Sequence, residues 1–329
     1  MNKIVTIDTG TTNTRAVLWD QDTVTAEDFE PVGVRNTAIS GSKKQLKQAV
    51  KKAIDKVLGQ ADIKDHRQVT VISSGMITSD LGLVEVPHIK APAGLTDLAQ
   101  GLVKENISDV FDQPIWFIPG VKNSEKQITP QNIMNMDIMR GEEVETIGAL
   151  SQIKNNGNTI IILPGSHTKI IKVDDKGKIE GSITSITGEL LELLTKNSIL
   201  ADSLDADFTE SLDEEALSLG AQACAVNGIG RTAFSVRLLG MFTDYSRNQR
   251  ANYLLGAVLE NDIKAIKNTA AFSLSEQDDV IIVGKKALSG ALETLIQNDN
   301  QLKGTVETKD ISHLAGLGAI EIAKAAKII

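Results

Sequence analysis

The chain of 329 residues contains one cysteine, Cys224. A disulfide framework and a thiolate metal site are therefore excluded. A lone cysteine in an alanine-rich helical stretch reads as a small buried hydrophobe. No apolar run approaches the roughly 20 residues that a membrane-spanning helix needs. No charged segment followed by an apolar core opens the chain, so no export signal is expected and a cytoplasmic protein is. The four histidines, His66, His88, His167 and His313, stand apart without ligand spacing, which argues against a histidine metal centre. Basic residues are outnumbered, 34 against 43 acidic, for a net charge of −9 and a pI near 5.1. That balance speaks against nucleic acid as a partner, because phosphate backbones demand stripes of Lys and Arg. An anionic substrate stays open, since a local pocket can oppose the global charge. What is present is apolar mass: 41% hydrophobic residues, enough for the cores of one or two domains.

The first fifteen residues are the most informative. Ile4 to Ile7 reads as a buried strand, Asp8 to Asn13 as a tight polar turn, and Thr14 to Trp19 as a second strand. Gly10 lets the backbone approach an anion. Successive N–H groups and the hydroxyls of Thr9, Thr11 and Thr12, with Asn13, suit phosphate oxygens. Asp8 suits Mg²⁺, which keeps several waters and takes few carboxylates. An ordinary hairpin with polar turn residues is the competing reading.

The rest of the chain reads as two halves. Strands are expected near 2–8, 14–20, 23–29, 69–73 and 115–118. A helix is expected over 42–58, capped by Ser42, with Leu46, Ala49, Val50, Ala53, Ile54, Val57 and Leu58 as its apolar stripe. A further helix spans 141–150, with acids in its first turn. The turn cluster at 155–158 suggests a boundary, giving domains 1–155 and 156–329. The pattern then restarts: strand 159–163, polar turn Pro164 to Lys169, strand 170–173, hairpin turn 174–177, strand 179–183. Helices follow near 188–196, 209–223, 231–241 and 248–267. Strand 280–283 ends in Gly284 and leads into a helix to about 296. A strand near 304–307 and a helix over 314–327 close the chain.

Two phosphate-type hairpins, each opening an α/β half, resemble the two-lobed actin-like ATPase (ribonuclease H-like) fold, with ATP between the lobes. Asp8 to Arg15 resembles its first phosphate loop. Pro164 to Lys169 resembles its second, with Pro164 where many members carry Asp. Ile281-Ile282-Val283-Gly284 resembles its adenosine motif, and Gly316-Leu317-Gly318-Ala319 its final connecting helix. Five phrases narrow the likeness: Ser74-Gly75-Met76-Ile77, Ile118-Pro119-Gly120, Met139-Arg140-Gly141-Glu142-Glu143, Leu163 to Lys169, and Thr187-Gly188-Glu189-Leu190. In that order they resemble the 2-dehydro-3-deoxygalactonokinase family over essentially the whole chain, least between 200 and 275. The resemblance implies transfer of a phosphoryl group from ATP, with Mg²⁺, to the 6-hydroxyl of 2-dehydro-3-deoxy-D-galactonate in galactonate breakdown.

Site roles follow from this. Asp8 is the metal residue, and Gly10, Thr11, Thr12 and Asn13 face the terminal phosphates. Gly165, Ser166, His167, Thr168 and Lys169 form the second loop, and Gly284 admits adenine and ribose, with Lys285 near the nucleotide. Lys169 reads either as a phosphate neutraliser or as a surface residue, and His167 as phosphate donor, substrate contact or turn residue. Arg15 reads as a clamp on phosphate or sugar-acid carboxylate, or as a surface strand residue. Sugar kinases of this superfamily place a catalytic carboxylate at the start of the helix that closes the first lobe. Here Glu142 is the first choice and Glu143 the second, with first-turn dipole acids as the alternative. Arg140 suits a substrate carboxylate or an ion pair with Glu143. Ser74, Gly75, Met76, Gly188 and Glu189 line the sugar pocket or serve as caps. The acids between 202 and 215 read as a solvated face in preference to a Mg²⁺ or Ca²⁺ cluster, and Gly230 to Thr232 with Arg237 either as a phosphate contact or as a helix start with surface charge. A phosphohydrolase of the same superfamily, of exopolyphosphatase type, would use water in place of the sugar acid. A kinase for another sugar acid and a non-catalytic nucleotide-dependent binder complete the alternatives. The oligomeric state is left open.

Overall fold

The computed structural model describes residues 3–153, 157–284 and 286–329. The expected boundary residues Asn155 and Asn156, and Lys285, lie outside the described residues.

The first sheet begins as a meander, β1 (Lys3–Thr9), β2 (Thr14–Asp20) and β3 (Thr23–Glu30). The short α1 (Val34–Ser40) and α2 (Lys44–Gln60) follow, then β4 (Val69–Gly75) parallel to β1. A small sheet of β5 (Ile89–Lys90), β8 (Val121–Lys122) and β9 (Ile138–Met139) flanks it. Between these lie α3 (Leu95–Gln100), β6 (Val103–Glu105) and β7 (Ile115–Phe117). The first sheet runs β3-β2-β1-β4-β7-β6. After α4 (Glu142–Gln152) the pattern repeats: β10 (Thr159–Leu163), β11 (Thr168–Val173) and β12 (Ile179–Ser185) form a meander. Four helices follow: α5 (Thr187–Lys196), α6 (Ala201–Leu204), α7 (Glu214–Phe242) and α8 (Arg247–Asn268). Then come β13 (Asp279–Val283), α9 (Lys286–Gln297), β14 (Val306–Lys309) and α10 (Leu314–Ala325). The second sheet runs β12-β11-β10-β13-β14. Its first four strands repeat the order β3-β2-β1-β4, including the parallel fourth strand.

Burial explains the layers. All seven residues of the predicted stripe on α2 are buried, in a core with the outer face of the first sheet. The middle core joins inner faces of both sheets, through Ile4, Val17, Ile161 and Ile281, to α4 and α10. The outer face of the second sheet packs on α5 and α7 to α9. Helices α4 and α10 cross without room for side chains: a Cβ on Gly318 would overlap the Val144 carbonyl, and one on Gly148 the Leu314 carbonyl.

Three expectations change. Helix α2 has Lys43 at its N-cap, and Ser42 only accepts from the Lys44 N–H at 3.3 Å. The helices expected at 209–223 and 231–241 are one element, capped by the Asp213 carboxylate and kinked where Gly228 adopts φ 73°. Residues 205–212 are therefore not helical. The last strand lies two residues further on than the sequence suggests.

Candidate active site

A cleft of about 1280 Å³ opens between the sheets, walled by Asp8, Arg15 and Ser74 on one side and by Pro164, Gly165, Gly188 and Gly284 on the other. Strand register builds the first wall. Asp8 pairs laterally with Arg15 and with Ser74, and Arg15 with Phe29. Residues directly opposite on neighbouring strands share a face, so these four side chains form one row across the sheet. Desolvation lifts the Asp8 carboxyl to about 6, against the pull of Arg15 and with a further push from Glu142.

Two glycines bring α4 to this row. Gly75 has φ 83° and Gly141 φ 116°, backbone that residues with a Cβ rarely adopt. A Cβ on Gly75 would lie 2.6 Å from the Thr9 carbonyl and 2.9 Å from Asp8 Oδ1, and one on Gly141 would lie 3.4 Å from Gly75 Cα. Their bare backbones let the first turn of α4 dock beside Asp8.

The acids of that turn separate. Glu143 is fully buried, and both its carboxylate oxygens accept the Gly141 N–H at 2.9 Å. Desolvation and the charge of Glu142 push its pKa to about 8. Glu142 is half-buried and accepts the Arg140 N–H at 3.0 Å. Glu145, one turn on, lines the cleft; desolvation, then Asp8, push it to about 8. Sequence reasoning missed Glu145. Its spacing of three from Glu142, which puts both on one helix face, is the signal that could have found it.

Arg140 does not pair with Glu143. Its guanidinium donates to Thr78 Oγ1 at 2.8 Å and the Val86 carbonyl at 2.9 Å, and lies 3.4 Å from His88 Nδ1. Burial and the charge of Arg140 hold His88 down at about 4, so its ring is neutral. Among the described residues Arg140 has no ion pair. Met76 opens the turn that carries Thr78.

The first hairpin is closed by a Gly10 N–H bond to the Asn13 carbonyl at 2.9 Å. Its tip, Gly10, Thr11, Thr12 and Asn13, is exposed and lies outside the lined cavity. The Gly10 and Thr11 carbonyls accept from Val34 and Arg35 at the start of α1. On the opposite wall Gly165 and Ser166 line the cleft, and the Ser166 carbonyl accepts the Glu189 N–H at 3.0 Å. His167 Nε2 meets Glu189 Oε2 at 3.0 Å, so two candidate residues are brought together. A Cβ on Gly188 would overlap the Gly165 carbonyl. Thr168 is buried with its hydroxyl unpartnered. Lys169 is a correction: it is buried and absent from the cleft wall. Its ammonium bonds Asp137 at 3.2 Å, the Ile138 carbonyl at 2.8 Å and the Thr184 hydroxyl, tying the 122–138 segment to the second sheet. Gly284 sits at the end of β13, where an added Cβ would lie 3.2 Å from Pro164. The end of β13 thus adjoins the second loop.

The acids between 202 and 215 form no metal cluster among the described residues. No helix of the described residues is long and apolar enough to cross a membrane.

Comparison with known proteins gives the site a frame. A search of curated proteins found no match. Among solved structures, a Sinorhizobium meliloti protein assigned the name 2-dehydro-3-deoxygalactonokinase is 24% identical, over 99% of each chain, with a TM-score of 0.76. The activator of 2-hydroxyisocaproyl-CoA dehydratase from Clostridium difficile, solved with bound ADPNP, is 13% identical over 99% of this chain and 96% of its own, with a TM-score of 0.49. The first likeness establishes a shared fold, the two-lobed α/β architecture described above. The sequence profile of 2-keto-3-deoxy-galactonokinase, a synonym of the family suggested by the motifs, matches residues 8–320. The chain belongs to the 2-keto-3-deoxy-galactonokinase family, sugar kinases that transfer a phosphoryl group from ATP to an alcohol.

Proposed function

We propose that this cytoplasmic enzyme transfers the γ-phosphoryl group of ATP to the 6-hydroxyl of 2-dehydro-3-deoxy-D-galactonate, a step of galactonate catabolism. The observation that carries the reading is the Gly75–Gly141 contact, which sets the acidic start of α4 beside Asp8, with Glu145 on the cleft wall.

Phosphoryl transfer asks for positioning and charge neutralisation more than for covalent chemistry. The hydroxyl oxygen attacks the γ-phosphorus, its proton passes to a carboxylate, and ADP leaves with the electrons of the broken P–O bond. Glu142 is that carboxylate: it is half-buried beside Asp8, whereas both oxygens of Glu143 are occupied by the Gly141 N–H. Arg140, charged and without a carboxylate partner among the described residues, takes the carboxylate of the sugar acid in bidentate fashion. Ser74, Gly75 and Met76 border its pocket. Glu189 holds His167 in the second loop. Gly165 and Ser166 face the phosphates, as do the exposed hydroxyls of Thr11 and Thr12 once the lobes close.

The donor set fits Mg²⁺. Asp8 and Glu145 are two crowded carboxylates, both raised by burial and by the charge of Glu142, with Asp8 raising Glu145 further, and hard divalent ions take one or two carboxylates with phosphate and water. Mg²⁺ held there supplies neutralising charge to the phosphates. A second reading assigns the base to Glu145, because it lines the cleft.

The test is coupled ADP release with MgATP, with and without the galactonate-derived acid, beside its gluco epimer. Release only with an acid acceptor supports the reading. Release without any acceptor would point to a hydrolase.

A further inference from the structure

One feature of the cleft has no role in the chemistry above. Phe208 lies in the 205–212 segment between α6 and α7, is 40% exposed, and lines the cleft. Gly284 at the end of β13 and Ala287 and Leu288 on α9 line the same cleft. Helix α5 gives the wall a direction: Gly188 in its first turn meets Gly165 of the second loop, and Lys196 at its last residue meets Phe208, so the ring lies at the end of α5 away from that loop. The segment carrying the ring is fixed by side chains of α8. Arg247 donates to the Phe208 carbonyl at 2.7 Å and pairs with Glu210. Asn248 Oδ1 accepts from the Glu210 N–H at 2.9 Å, and Asn248 Nδ2 donates to the Ser211 carbonyl at 3.0 Å. From α5, the Lys196 ammonium stands 5.3 Å from the ring centroid and also pairs with Glu192 at 3.2 Å. Glu192 lines the cleft as well.

A nucleotide has a charged end and a flat apolar end, and along α5 the cleft offers first the polar second loop and then an aromatic face. We propose that Phe208 is the stacking platform for the nucleobase of ATP, and that Glu192 selects adenine by accepting from its exocyclic amino group. The inference rests on the nucleotide reading of the cleft. An anchored aromatic loses little freedom when a base stacks on it, so most of the stacking energy appears as affinity. A carboxylate accepts hydrogen bonds and donates none. It favours the amino edge of adenine over the carbonyl oxygen that guanine presents at that place.

The experiment is isothermal titration of the full-length protein with MgADP and MgGDP, using wild type, Phe208→Ala, Phe208→Leu, Phe208→Tyr and Glu192→Gln. Both Phe208→Ala and Phe208→Leu are expected to weaken MgADP binding by about ten- to a hundredfold. Phe208→Tyr keeps wild-type affinity because the π-face remains. Glu192→Gln narrows the preference for ADP over GDP. Wild-type affinity in Phe208→Leu would show a plain apolar contact and overturn the platform. Wild-type affinity in Phe208→Ala would do so outright, leaving the nucleotide reading in place. No MgADP binding by the wild type would remove the nucleotide reading itself. An unchanged ADP-to-GDP ratio in Glu192→Gln would remove the selection by Glu192. Thermal melts of each variant report folding.

Discussion

At the scale of single residues, three neighbouring acids on α4 differ through their surroundings. Glu142 and Glu145 share a helix face near Asp8, and Glu143 turns into the protein. Glu142→Gln is expected to lower kcat by about 10²–10⁴ while changing KM for ATP little, the range for a lost general base. Steady-state kinetics beside Glu145→Gln decide between the two: a larger kcat loss in Glu145→Gln, undiminished by excess Mg²⁺, would move the base to Glu145. Glu143 makes a different prediction. Its folded pKa, about 8, lies above the ordinary glutamate value, so the folded state holds a proton that the unfolded state releases. Stability is therefore full below the unfolded pKa and is lost as pH rises through the window from about 4.5 to about 8. Glu143→Gln should flatten that fall, leaving the variant ahead of wild type by about 3–4 kcal/mol at pH 8 relative to pH 5. Glu145 carries the same sign and keeps part of the slope in both proteins. Melting temperature against pH, wild type beside variant, measures it; parallel curves would sink the assignment. The fate of Lys169 was not legible in its own stretch of sequence, because its partner Asp137 lies 32 residues away and only the folded sheet brings the two together.

At the scale of elements, regular patterns were legible and their junctions were not. The stripe on α2 and the meanders at 3–30 and 159–185 follow from apolar period and turn residues. The 200–245 region was misread because its alanine- and glycine-rich sequence carries little amphipathic period: α7 buries parts of several faces against α8 and bends at Gly228. That misreading also concealed Phe208, placed just before an expected helix of solvated acids. The motif glycines show what local sequence does reveal. Gly75 stands between β4 and the turn that follows, where φ is 83° and the Asp8 carboxylate is 2.9 Å from the space a Cβ would fill. Gly75→Ala must strain the backbone, at about 1–2 kcal/mol, and displace Asp8 or α4. The loss of kcat should therefore exceed tenfold although the variant still folds, since a misplacement near 1 Å can cost about a hundredfold. Activity and a thermal melt on the same sample test this. Near-wild-type turnover would mean that the Gly75–Gly141 contact does not set the site.

At the scale of the whole molecule, the repeat of strand order in two sheets makes a cleft, and one core runs between them. The second half does not close on itself: α10 returns to pack on α4 and beside Trp19, where a Cβ on Gly316 would lie 2.5 Å from the indole. The two halves are therefore joined through a pair of helices crossing at glycines as well as through the sheets' common core, while the groups proposed for the reaction sit on both walls of the cleft. The first-hairpin hydroxyls lie outside the cavity and can reach phosphate only if the walls approach. Closure around both ligands is the expected consequence, and it would bury the reacting groups away from water. Small-angle scattering should show a fall in radius of gyration with MgADP and the sugar acid together, larger than with either alone. The same pair should raise the melting temperature beyond the single ligands, because each ligand then binds a state the other has already favoured. Equal radii in all four conditions, with binding verified by titration, would mean that the open cleft is already the working geometry. The exposed tip from Gly10 to Asn13 would then have to be released from its phosphate role.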